Sequence, residues 1–472
     1  MRRNKAVSQI QRGERETRRE YKTLIPILAT SIPAIIDLLC QPAVWMVDKI
    51  LVGHIAGEGA ISLAAVGTST LITLFTLTIL LTTLIGTIII ILRYIGAGEH
   101  EEANYYSAQS LLASLFIGIG IGLLWYLGAG RIFQLLQAPN DVKRLGVRYL
   151  QILSPFCPII VTNFVATGLL RFSGDTVKSM CVNVTVVIVN LFGDIVLIFG
   201  LWGFPRMGVA GAALAAGIGN TVGIIMSVLF LFSGRATIKL SKRHFRDFRL
   251  SNFRRIIGKG IPVTTEQLIG TGAYLVVVRY SMRLGAVTAA AHQAIINFSW
   301  ISTMFYLGVG TAVTALTGKS LGAKEEDAAE RTGRVAWRVS ICFGIVFGGV
   351  LFFLSKNIMR IFLPESAQNI QAIMIGARCL KIVAAVQIPK AINTVLSASL
   401  RAAGDVRWLV FVNIVGAGTG EVFLARTLGL GTMNMPGLGL PGIWLGIGIG
   451  EAIRSSMNYL RYRQGRWKKI VV

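Results

Sequence analysis

Long apolar runs, each closed by a short polar or basic stretch, set the rhythm of this chain. Twelve such runs fall near 24–53, 61–92, 106–129, 146–170, 177–200, 208–233, 256–280, 286–316, 335–355, 370–399, 406–428 and 438–460. Each is long enough to cross a hydrocarbon core of roughly 30 Å as a helix. The pattern predicts an all-α polytopic membrane protein with twelve transmembrane helices and no long soluble domain. An even number of spans puts both termini on one side of the bilayer.

The pattern also repeats. GVAGAALAAGIGNTV at 208–222 answers GLPGIWLGIGIGEAI at 439–453, and LLRFSGD at 169–175 answers SLRAAGD at 399–405. IGAGEHEEA at 95–103 answers LGAKEEDAA at 321–329, and SIPAIID at 31–37 answers GIPVTTE at 260–266. The offsets are 231, 230, 226 and 229 residues, so two six-span lobes are expected at 24–233 and 256–460. Six spans per lobe make the repeats parallel, related by an axis along the membrane normal. Two such pseudo-symmetric lobes around a central cavity are the usual plan of an alternating-access transporter.

Composition narrows the reading. Of 472 residues 53% are apolar and 15% charged, too apolar for a soluble protein of this length. The net charge of +25 would suit a nucleic-acid partner if it were evenly spread. It is instead gathered in segments flanking the spans: 1–23, the linker 234–255 and the tail 461–472. The positive-inside rule then places all three in the cytoplasm, beside lipid headgroups rather than nucleic acid. The basic N-terminus lacks a short apolar core followed by a cleavage site, so no removable signal peptide is expected. Five cysteines without a CxxC pair imply neither a disulfide framework nor a metal site. No Walker loop, HExxH or serine–histidine arrangement occurs, so neither an enzyme nor a cofactor is expected.

Acids inside spans are the candidate chemistry, because a carboxylate near hydrocarbon costs at least roughly 2.5–3.5 kcal/mol. Asp48 lies five residues before Gly53, and Asp194 lies six before Gly200. Both therefore sit about 8–9 Å inside a span end at 1.5 Å per residue. Asn183, Asn190 and Asp194 share one face of span five at i, i+7 and i+11. The expectation is a cation-coupling nest of Asp48, Asn190 and Asp194 for a proton or Na⁺, with Asn183 as a neighbour. Asp37 and Glu266, four residues after Pro33 and Pro262, are the expected acids of a substrate cavity suited to cations. Met46, Phe75, Phe298, Trp300, Met304, Phe305 and Tyr306 are candidates to line that cavity, with plain packing the alternative. Pro33 and Pro42 interrupt span one and are candidate hinges.

The proline and acid of span one, the VD and VG that close it, and the later IGAGE and LRFSGD resemble the multidrug and toxic compound extrusion family. The likeness is closest to the branch that includes the bacterial DNA-damage-inducible transporters, and it covers about residues 24–460. It implies a cation-coupled exporter of amphipathic, often cationic compounds, a monomer in the bacterial inner membrane. In that family the N-lobe cation site uses an aspartate after the span-one proline and an Asn-x-x-x-Asp in span five. Pro33 with Asp48, and Asn190 with Asp194, match those positions. One departure concerns the coupling ion: where the family often has a threonine oxygen in span six, this chain has Ala216. An Na⁺ ion wants about five or six oxygens, so the loss favours a proton. A lipid or lipid-linked oligosaccharide flippase of the same superfamily is the alternative.

Overall fold

The computed structural model describes residues 2–55, 59–136, 138–246, 250–362, 370–432 and 435–470. Among the described residues there are twelve long helices, one on each predicted span. They are α1 (Arg2–Gly53), α2 (Gly59–Gly96), α3 (His100–Leu135), α4 (Asn140–Phe172), α5 (Thr176–Phe199) and α6 (Val209–Phe232). The second set is α7 (Leu250–Arg283), α8 (Ala286–Gly322), α9 (Glu326–Phe353), α10 (Ile370–Ala402), α11 (Val406–Leu430) and α12 (Leu440–Gln464). A short helix, Ser355–Phe362, and a two-residue hairpin pairing Gly431–Thr432 with Met435–Pro436 fill two of the connections.

Ten of the twelve helices are long and apolar enough to cross a membrane. Helix α2 includes the apolar stretches Ile61–Thr73 and Leu80–Gly96. Helix α12 carries Glu451, Arg454, Arg461 and Arg463 within one rod. Helix α1 runs through Pro33 and Pro42 without a break, so the two expected hinge positions are helical here.

By packing, the chain forms two compact units: Ile36–Thr264, and Met1–Ile35 with Thr265–Val472. The boundaries lie inside α1 and α7, two residues past Pro33 and Pro262, and not in the 234–255 linker. Specific contacts explain the cut. Ile27 of α1 is fully buried among Val309, Val313, Val335 and Val395 of the second unit. At the start of α7, Gly260 lies so close to the backbone of Thr82 in α2 that no side chain would fit there.

In the first unit, Trp125, Phe133, Tyr149, Leu150 and Leu153 form a core with Val209, Ala212 and Ala213. The small-residue run GVAGAALAAG lets α6 approach α5 closely, as its composition predicts. A Cβ on Gly211 would lie 2.7 Å from the carbonyl of Leu197. Close approach there sets the distance between α5 and Ala216, which matters below.

In the second unit α10 packs against α8, α9 and α12. Helix α11 is wound as a π-helix over Ala417–Leu424, a distortion that often marks a functional segment. Its glycines meet those of α12: a Cβ on Gly450 would lie 2.8 Å from the Gly416 carbonyl. At the end of the unit, Trp467 is fully buried, stacked on Tyr462 at 5.1 Å and donating Nε1–H to the Tyr462 carbonyl.

Candidate functional site

Asp48 on α1 and Asn190 and Asp194 on α5 come together in the first unit, and all three are buried. Asn190 and Asp194 are one turn apart, so their side chains emerge on the same face. The carboxyl groups of Asp48 and Asp194 lie within hydrogen-bonding reach of each other. With its amide oriented to satisfy its neighbours, Asn190 donates Nδ2–H to Asp48 Oδ1 at 3.1 Å. Its oxygen then accepts from the Ala216 N–H at 3.2 Å. Ala216 thus contributes a backbone donor, delivered by the close α5–α6 approach. Asp194 Oδ1 is buried with no hydrogen-bond partner.

Two carboxyls this close, in apolar surroundings, cannot both stay ionised without a counter-charge. The arrangement can hold one shared proton or one small cation. Tyr149 of α4, also buried, lies close enough for its phenol to interact electrostatically with both acids. Sequence reasoning missed Tyr149, since a tyrosine in an apolar span usually signals packing.

Asn183 does not belong to this nest. It donates Nδ2–H to Asp37 Oδ1 at 2.5 Å, one layer away. Seven residues along a helix are about 10 Å, so a shared face does not mean a shared depth. Asp37 also accepts from Ser179 Oγ at 2.7 Å and pairs with Arg171 Nε at 2.6 Å. Its carboxylate is buried and saturated by three donors, which corrects its expected place as a free cavity acid. Arg171 belongs to the repeated LRFSGD segment, the signal that could have found it.

The second unit carries the counterpart. Arg401, from the matching SLRAAGD, places Nη2 at 2.9 and 3.1 Å from the two oxygens of Glu266. Glu266 therefore enters its surroundings with its charge already balanced. It borders a cavity of about 270 Å³, shared with Asn393, Asn413, Glu421, Glu451 and Arg454. Arg454 Nη2 reaches Glu421 at 2.5 Å and Glu451 at 3.0 Å. Asn413 accepts from Arg454 Nη1 at 3.2 Å and donates to the Glu266 carbonyl at 2.9 Å. Asn393 donates to Glu451 at 2.9 Å. No carboxylate stands at the Asp48-equivalent position, Val277, yet a buried polar network does occupy this unit. Its legible trace was the acid–arginine pair Glu451 and Arg454 at i, i+3 on α12.

The aromatic and methionine candidates separate by exposure. Met46 is 61% and Trp300 54% exposed. Met304 and Tyr306 are buried, the latter donating its hydroxyl to Gln387 at 2.9 Å. Phe305 packs on Phe347 at 4.8 Å, and Phe298 packs against the core that includes Ile295 and Leu380. For Phe298, Met304, Phe305 and Tyr306 the plain-packing alternative therefore describes the contacts. The Phe75 side chain lies outside the described residues.

Comparison with known proteins agrees with this layout. The MatE family model matches residues 33–196 and 262–425, one match in each half. The probable multidrug resistance protein NorM of Thermotoga maritima is 25% identical over 446 residues, 94% of this chain and 93% of that protein. The uncharacterized transporter YisQ of Bacillus subtilis is 26% identical over 412 residues, covering 86% and 87% of the two chains. A crystal structure of MATE in the bent conformation superimposes with a TM-score of 0.84 at 23% identity, over 94% of this chain and 95% of that one.

Proposed function

Because the chain belongs to the MatE family, and so is a membrane transporter rather than an enzyme, we propose that it exports amphipathic organic compounds by proton-coupled alternating access. The substrate class follows the multidrug resistance relatives. The bacterial relatives and the basic flanking segments support a place in the inner membrane, with both termini cytoplasmic. The chain is proposed to act as a monomer.

Proton over Na⁺ is supported by the residue at 216: an alanine there offers no side-chain oxygen beside Asp48, Asn190 and Asp194. An Na⁺ ion would find the two carboxyls and few further oxygens, whereas a proton needs only the carboxyl pair. When that pair holds a proton, Asp48 and Asp194 attract and α1 is drawn to α5. When it loses the proton, the two carboxylates repel within a low-dielectric site. A cationic substrate relieves that repulsion in the proton's place, so proton and substrate bind in exchange. Asp37 and Glu266 each carry an arginine counter-ion, so neither offers a free charge to a cation.

Uptake into proteoliposomes with pH and Na⁺ gradients imposed separately tests the reading. Transport driven by the pH gradient alone is expected. Transport driven by Na⁺ alone, and indifferent to pH, would overturn proton coupling.

A further inference from the structure

The basic stretch after α6 takes no part in the ion site, yet it is held by many specific contacts. Residues 234–246 fold back onto the first turns of α3 and α5. The Thr237 N–H donates to Asp175 Oδ2 at 2.6 Å, and the Lys239 N–H to Asn104 Oδ1 at 2.8 Å. Lys178 Nζ donates to Asp175 Oδ1 at 2.6 Å and to the Arg235 carbonyl at 2.5 Å. Farther along, the Ser241 N–H donates to His244 Nδ1 at 3.0 Å, which leaves Nε2 to donate to Glu101 at 3.0 Å. Arg243 pairs with the other oxygen of Glu101 at 2.7 Å.

The stretch alternates. Ala236, Ile238 and Leu240 are buried, while Arg235 and Lys239 face outward over a cavity of about 900 Å³. Both acids at this cavity are engaged, Glu101 by Arg243 and His244 and Asp175 by Lys178. Among the described residues, the side chains of Arg235 and Lys239 have no such partner. Close in sequence to the cavity-lining Asp175 and Gly234, Val177 on α5 and Leu229 and Phe232 on α6 are exposed apolar side chains. Two uncommitted cations at the end of an apolar helix surface match a molecule with an anionic head and a hydrocarbon tail.

The geometry points to a binding site for an anionic glycerophospholipid, its phosphate on Arg235 and Lys239 and its acyl chains along Val177, Leu229 and Phe232. A soluble anion would use the cations but leave the adjoining apolar surface unexplained.

Native mass spectrometry of the full chain in detergent, titrated with phosphatidylglycerol or phosphatidylcholine, tests this. Phosphatidylglycerol adducts are expected to exceed phosphatidylcholine adducts. Arg235→Ala with Lys239→Ala should weaken them about thirtyfold, roughly fivefold for each cation lost. Arg131→Ala with Arg206→Ala removes the same charge at the other end of α3 and α5 and should change nothing. The charge-keeping pair Arg235→Lys and Lys239→Arg should retain the lipid, separating loss of charge from loss of the fold. Undiminished phosphatidylglycerol binding by the double alanine variant would overturn the proposal, as would equal loss in both alanine pairs. Displacement of the lipid by inorganic phosphate would overturn it too, by making the cavity a site for soluble anions.

Discussion

Arg401 holds Glu266 with one guanidinium nitrogen 2.9 and 3.1 Å from its two carboxylate oxygens, and Arg171 holds Asp37 at 2.6 Å in the other half. The acids are 229 residues apart and the arginines 230, so the pair is a property of the repeat unit. What the halves do not share is the Asp48–Asp194 pair. The common ion pair reads as framework and the unshared carboxyl pair as chemistry, and the two respond differently to substitution.

Glu266→Gln and Arg401→Gln should each destabilise the protein, because each leaves a partly buried charge without its partner, a loss of about 3 kcal/mol. The double substitution should cost less than the sum, and a double-mutant cycle of unfolding in detergent measures the difference. Ligand binding by Glu266→Gln should weaken equally for cationic and neutral compounds, since Arg401 already cancels the charge. A selective loss of cationic ligands would place Glu266 in the substrate site.

Asp48→Asn should reduce coupled transport to background while leaving the protein folded. The amide keeps the size of the side chain but cannot exchange a proton with Asp194. Proton release on substrate addition, followed with a pH dye in lightly buffered detergent, should vanish along with transport. Normal proton release would exclude Asp48 from coupling.

Ala216→Thr should make transport respond to Na⁺. A hydroxyl at this position adds an oxygen beside Asn190, moving the donor set toward what Na⁺ requires. The check is the rate in proteoliposomes with an Na⁺ gradient and no pH gradient, which should rise above that of the unsubstituted protein.

Trp467→Ala should lower stability by about 3–5 kcal/mol, the usual cost of emptying a large aromatic site. The indole is buried in a cluster with Leu321, Ala329, Leu396, Leu400 and Leu409, so its loss loosens the ends of several helices together. Thermal unfolding in detergent reads the effect. Conservative replacement by Phe should recover part of it.

The spans and the repeat were legible in the sequence because a backbone in hydrocarbon must satisfy its own hydrogen bonds, which forces long apolar helices. Asp48 and Asp194 stood out for the same reason, as charges where charges are costly. Asn183 was placed wrongly because periodicity gives the face of a helix but not which layer a neighbour occupies. Tyr149 had no signature at all. The Glu421–Arg454–Glu451 cluster depends on the π-wound segment of α11 lying against the glycines of α12, and no local pattern predicts that meeting.

The division of the chain two residues past Pro33 and Pro262 bears on how it is made. A ribosome delivers residues 2–35 first, yet the surfaces that bury Ile27, around Val309, Val335 and Val395, are synthesised some 300 residues later. Domains usually fold as their own sequence emerges. A fragment ending at the basic linker would lack the Ile256–Gly260 piece that packs on α2, so the duplicated sequence unit and the packing unit are different stretches of the chain.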